Sequence, residues 1–125
     1  MVMTTLQVAA GGAIGAALRF LIGVGVTRLA SPGFPLAVLS VNILGSFAMG
    51  LFVVFAAKTS NTHLSPFVMT GILGGFTTFS AFSLEAYTLF ERGQTAAAAT
   101  YVGASVVLSI AGLVAGIIIA RGIWA

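Results

Sequence analysis

Apolar residues dominate four stretches of the chain, and short polar patches separate them. The first stretch runs from about Leu6 to Val26 and ends at "TRLASPGFP". The second starts near Pro35, where a proline suits a first helical turn, and ends near Ala57. "KTSNTHLSP" follows as a loop. The third runs from near Phe67 to about Phe90, and "ERGQT" turns the chain, with Gly93 as a C-terminal stop. The fourth covers about Ala96 to Ala120, and Arg121 and Trp124 anchor its end at the interface. A bilayer core about 30 Å thick is crossed by roughly 20 apolar residues in a helix, so each stretch predicts one transmembrane helix. A helix satisfies its own backbone in lipid within a single span. The period-two alternation of a transmembrane barrel is missing. The expected fold is therefore an all-α membrane protein, one four-span domain over residues 1–125.

Composition agrees. Of 125 residues, 59% are hydrophobic and 6% charged; soluble domains carry about a quarter charged residues, which excludes a water-soluble globule. Mean hydropathy is +1.17. Five Lys/Arg and two acids give a net charge of +3, without the basic run that a nucleic-acid surface needs. Cysteine is absent, so neither disulfides nor thiolate metal sites arise. His63 has no second histidine and no nearby acid. No nucleophile–base pair, metal-ligand cluster or P-loop appears, which disfavours an enzyme or an ATP-driven pump. The N-terminus lacks a positive n-region and reads as a retained first span.

Charge decides the orientation poorly, and that is informative. Four spans place both termini and the second loop on one side, with Lys58 and Arg121. The first and third loops, with Arg28 and Arg92, face the other side. Two cations against two cancel the positive-inside bias, so insertion in both orientations, with antiparallel pairing, is expected alongside the alternative that Arg19 or the terminal amine sets one orientation. Four helices barely enclose a pathway, so transport implies an oligomer.

Polar groups at membrane depth need reasons. Arg19 lies inside the first span; it either snorkels to the interface, caps a partner's carbonyls, or faces an aqueous vestibule and attracts anions. Glu85 is the one acid placed to lie within a span, so a relay through paired carboxylates is not supported. Asn42 in the second span suits a helix–helix hydrogen bond. Gly45, Ser46 and Gly50 near it, and Gly11, Gly12, Gly15, Ala16, Gly23 and Gly25 in the first span, read as close-packing faces.

"GGFTTFSAFS", Gly74 to Ser83, departs from this pattern. The glycine pair leaves helical geometry cheaply, and Thr77, Thr78 and Ser80 can serve freed backbone groups. Unwound carbonyls at membrane depth are where transporters coordinate Na⁺. Phe79 and Phe82 are three apart and share a helix face; Ser80 and Ser83 share another. Phenyl edges are positive and hydroxyls donate, so both can meet a small anion. A kinked helix with lipid-facing phenylalanines fits the same residues.

Along nearly its whole length the chain resembles the Fluc (CrcB) fluoride channels. The resemblance rests on "GGAIGAALRF", "SVNILGSFAMG", "GGFTTFSAFSLE" and the small-residue fourth span with Ser105 and Ser109. It implies an antiparallel, dual-topology homodimer in the cell (inner) membrane that lets fluoride leave the cytoplasm passively. It implies a third helix broken over Gly74 to Thr78, and a structural sodium ion on the dimer axis, held by the carbonyls of Gly74 and Thr77. It implies an anion pathway along Asn42, Phe79 and Phe82, with hydroxyls from Ser80, Ser83 and Ser109, a vestibule arginine, Arg19, and the acid after the motif, Glu85. Many members carry Thr where this chain has Ala81, and some carry a hydroxyl at the position of Leu113. Two other classes compete. A dual-topology small-molecule/proton antiporter needs a carboxylate in the first span, and none lies between Met1 and Arg28. A membrane scaffold subunit predicts that Asn42, Phe79 and Phe82 can change without loss of function.

Overall fold

The computed structural model describes residues 1–30 and 33–124; residues 31 and 32, within the expected first loop, lie outside them. Four helical segments are long and apolar enough to cross a membrane: Val2–Leu29, Leu36–Lys58, Thr62–Glu91 and Thr95–Ile123. This is the expected all-helical, four-span, multi-pass membrane architecture, with the first, third and fourth spans longer than their apolar stretches.

Turn chemistry sets the boundaries. Gly33 has φ +118°, and Pro35 immediately precedes the second helix. The third span ends in a Schellman motif: Gly93 sits at φ +77°, its amide donates to Phe90 O at 3.0 Å, and Gln94 N donates to Leu89 O at 3.0 Å. The second span closes the same way, with Asn61 N donating to Ala56 O at 2.8 Å, but Ser60 takes the left-handed position, φ +59°. Each span carries a cation at its C-terminal end: Arg28, Lys58, Arg92 and Arg121. That placement complements the helix dipole. In four consecutive crossings it also produces two cations per side.

The third span changes character along its length. After a 3₁₀ turn, Thr62–Leu64, it winds as a π-helix over Pro66–Leu73 and makes a short α turn, Gly74–Phe76. The chain leaves helical geometry at Thr77 (φ −84°, ψ 160°) and resumes as an α-helix over Ser80–Glu91. The break is therefore shorter than the expected Gly74–Thr78: Gly74 is helical, at φ −63°, ψ −38°. Gly75 serves close packing instead. A Cβ on Gly75 would lie 2.6 Å from the Gly12 carbonyl oxygen of the first helix.

The break coincides with a change of partner. The part of the third span before it packs on the first helix, and the part after it packs on the fourth. The second and fourth helices also share an extensive contact. Phe82, Leu89, Ala98 and Tyr101 form a buried cluster where the last half-span meets the fourth helix, covered by Phe34, Val38 and Leu39. One straight rod would not serve both partners.

Candidate functional site

Three side chains fix the broken backbone. Asn42, on the second helix, donates from Nδ2 to Thr78 O at 2.9 Å and accepts from Thr78 N at its Oδ1 at 2.8 Å. The Thr78 hydroxyl accepts from Ala81 N at 3.2 Å, which starts the following half-helix. Arg19, on the first helix, donates from Nε to Gly75 O at 3.1 Å. Of the readings open for Arg19, it caps a carbonyl, and that carbonyl belongs to its own chain.

These bonds determine which carbonyls remain. In an unbroken helix the Thr78 amide donates to Gly74 O and the Ala81 amide to Thr77 O. Here the first amide is diverted to Asn42 and the second to the Thr78 hydroxyl. The Gly74 and Thr77 carbonyls lose their helical donors, whereas those of Gly75 and Thr78 are occupied by Arg19 and Asn42. Among the described residues no group of three His, Cys, Asp or Glu gathers to hold a metal. Carbonyl oxygens without N–H donors are the ligand chemistry that suits a hard cation such as Na⁺. The pair expected from the sequence thus fits that role.

Beside the break lies a groove of about 490 Å³ lined by Asn42, Thr78, Phe79, Phe82, Ser105 and Ser109, with Met49, Ile110 and Leu113 on its apolar walls. The Phe79 and Phe82 rings sit 5.4 Å apart at 48°. Phe82 is 8% exposed and Phe79 78%, so one ring is fixed and the other is left uncovered by this chain. Phe82 is held by Tyr101, ring to ring at 5.2 Å, and Tyr101 meets the edge of Phe34 at 5.7 Å. Ser105 is buried, and its hydroxyl lacks a hydrogen-bond partner. A buried unpaired hydroxyl costs about 1–3 kcal/mol, so a groove occupant that accepts a hydrogen bond is favoured there.

The structure thus brings together Asn42, Phe79, Phe82 and Ser109 of the expected pathway in one groove that Thr77 also lines. It does not bring Ser80 or Ser83 to this groove. Both are exposed, and the Ser83 hydroxyl donates to Phe79 O of its own helix at 2.9 Å. Arg19 lines a separate groove of about 630 Å³ with Arg28 and Thr27. Glu85 lines a pocket of about 280 Å³ with Phe34, Thr88 and Arg92. It connects back to the main groove through Tyr101, whose hydroxyl donates to Glu85 Oε2 at 3.4 Å, a long bond, and whose ring holds Phe82. Sequence reasoning passed over Tyr101 and took Ser105 only as a mark of the resemblance, not as part of the site. Their signal was present: Tyr101, Ser105 and Ser109 fall four apart and share a helix face.

Comparison with known proteins bears on the same segments. Residues 6–117 match the family model described as "CrcB-like protein, Camphor Resistance (CrcB)". The chain is 66% identical over 124 residues to the "Fluoride-specific ion channel FluC" of Ruegeria sp. (strain TM1040), covering 98% of both chains. It is 64% identical over 119 residues to the protein so named from Roseobacter denitrificans (strain ATCC 33942 / OCh 114), covering 94% of both. With that from Agrobacterium fabrum (strain C58 / ATCC 33970) it shares 50% over 119 residues, covering 94% of this chain and 95% of the other. These relatives are named as ion channels, not as enzymes. With the match spanning all four membrane helices and the broken third one, the chain belongs to the CrcB-like family.

Proposed function

We propose that this chain is a passive, fluoride-specific channel of the cell (inner) membrane that works as an antiparallel homodimer and lowers cytoplasmic fluoride. The observation that carries the reading is the groove at the break, in a chain 66% identical to a protein named as a fluoride-specific ion channel. Its polar lining is neutral. Phenyl edges of Phe79 and Phe82, the hydroxyls of Ser105 and Ser109, and the second N–H of the Asn42 amide offer partial positive charge to a small anion. A narrow lining of donors without full charges favours a compact, strongly hydrogen-bonding anion and lets it leave again. Arg19, in the neighbouring groove, raises the local anion concentration.

Two observations support the antiparallel pair. The terminal cations divide two and two between the sides. Phe79 is 78% exposed although it completes the aromatic pair, so a second copy has an incomplete site to cover. In this reading the Gly74 and Thr77 carbonyls of the two copies hold the sodium ion, which supplies fixed positive charge and a joint between subunits. Ser80, Ser83 and Glu85 then belong to the approaches to the groove rather than to its wall.

Anion efflux from liposomes holding the purified protein tests the channel. Rapid loss of fluoride without loss of chloride is expected. Retained fluoride with a folded, dimeric protein would move the scaffold reading to first place.

A further inference from the structure

Asn42 was expected on the anion pathway, yet half of its hydrogen-bonding capacity is spent on one residue's backbone. Its carbonyl oxygen takes the Thr78 amide at 2.8 Å, and one amide proton goes to the Thr78 carbonyl at 2.9 Å. That pairing copies the two-bond exchange between facing strands. It has a consequence four residues back along the chain, at Gly74. The Thr78 amide is the natural helical donor to the Gly74 carbonyl. While Asn42 holds that amide, the third span cannot heal across the break, and the Gly74 oxygen stays available.

We propose that Asn42 is a positioning residue for the cation site, keeping the Gly74 carbonyl open by taking the Thr78 amide away from it. This rests on the sodium reading above. The surroundings support the assignment. Nothing else among the described residues donates to or accepts from the Thr78 backbone pair, and the pair is partly buried, where a free N–H is costly. Remove Asn42 and the cheapest partner for the Thr78 amide is Gly74 O, because Gly74 is already helical. The residues between, Gly75 to Thr77, then close into a continuous turn, and the carbonyl turns from ion ligand to helix acceptor. Asn42 therefore acts on the cation through the backbone, separately from whatever its remaining N–H does for the anion.

The test separates the two roles. The full-length protein and its Asn42→Ala and Asn42→Asp variants are purified in detergent. Sodium is titrated against N-methylglucamine at constant ionic strength, and the sodium midpoint is read from thermal unfolding; fluoride efflux is measured in parallel. Asn42→Ala is expected to raise the sodium midpoint about two- to tenfold, the weight of one lost hydrogen bond. Asn42→Asp keeps an oxygen that accepts the Thr78 amide, so it is expected to keep a midpoint near that of the unsubstituted protein while its negative charge stops fluoride. An Asn42→Ala protein that folds with an unchanged midpoint overturns the proposal. Should the alanine variant not fold, the aspartate variant decides: a folded protein without sodium-dependent unfolding overturns it equally. Sodium-independent unfolding of the unsubstituted protein overturns this proposal and the cation site together. Sodium-dependent unfolding with no fluoride efflux would remove the channel reading alone.

Discussion

The ring of Phe82 lies 5.2 Å from the ring of Tyr101, inclined at 40°, and both are buried. Phe82 is thereby the fixed member of the aromatic pair, and Phe79, 5.4 Å away, the uncovered one. The fixed ring lines the groove, and an aromatic ring has a positive edge that an aliphatic side chain lacks.

Phe82→Ile is therefore expected to abolish fluoride efflux while the protein still folds. A swap between large apolar residues costs about 1.5 kcal/mol or less when neighbours adjust, plus the aromatic contact of roughly 0.5–1.5 kcal/mol. Efflux from liposomes and the elution profile of the purified variant check both halves. Normal efflux from a folded variant would remove Phe82 from the pathway.

The glycines of the first and third spans make a contrasting pair. A Cβ on Gly75 meets the Gly12 carbonyl at 2.6 Å and the Gly12 Cα at 3.0 Å, both backbone atoms that cannot swing aside. A Cβ on Gly12 meets nothing within 4 Å. Gly75→Ala should thus destabilise by about 1–3 kcal/mol through overpacking, whereas Gly12→Ala should be neutral or better by up to roughly 1 kcal/mol from helix propensity. Chemical unfolding in mixed micelles measures the difference. Equal effects would show that the helices do not approach here as described.

The spans and their turns were legible because their signals are local. Apolar length gave the four helices, Pro35 marked one start, and Gly93 marked one end. The third span was legible as broken but not at its break. Glycine permits unwinding without requiring it, and Gly75 is committed to Gly12 across the interface, a contact no window of sequence contains. Likewise Asn42 reads as a polar residue in a greasy span; that it grips Thr78, 36 positions later, follows only from helix packing. The Tyr101–Ser105–Ser109 face was legible by spacing and overshadowed by the denser motif in the third span.

Ser60 holds a left-handed backbone, φ +59°, at the end of the second span, where Gly93 serves the third. A side chain there costs roughly 1–2 kcal/mol relative to glycine, less the smaller entropy cost of fixing serine. Ser60 is exposed and lies outside the grooves. Ser60→Gly should therefore raise stability by about 0.5–1 kcal/mol without altering efflux. A lower unfolding midpoint for this variant would show that the Ser60 side chain contributes something the turn geometry does not require.

The balance of terminal cations makes the last prediction. Lys58 and Arg121 end the second and fourth spans, and Arg28 and Arg92 end the first and third, so these four cations give no bias between the two sides. Two lysines added to the exposed loop around Asn61 and Thr62 break that tie and should drive insertion toward one orientation. If the working unit is an antiparallel pair, a uniformly oriented population has no inverted partner and efflux should fall steeply. Coexpression with an oppositely biased variant, carrying the two lysines beside Gly93 and Gln94, should restore it. Cysteine labelling from either side reads orientation, and the absence of native cysteines leaves the background clean. Full efflux from a population shown to lie one way round would exclude the antiparallel assembly. Rescue only by the opposite bias would establish it, since simple loss of folding by the lysines could not be repaired by a second chain.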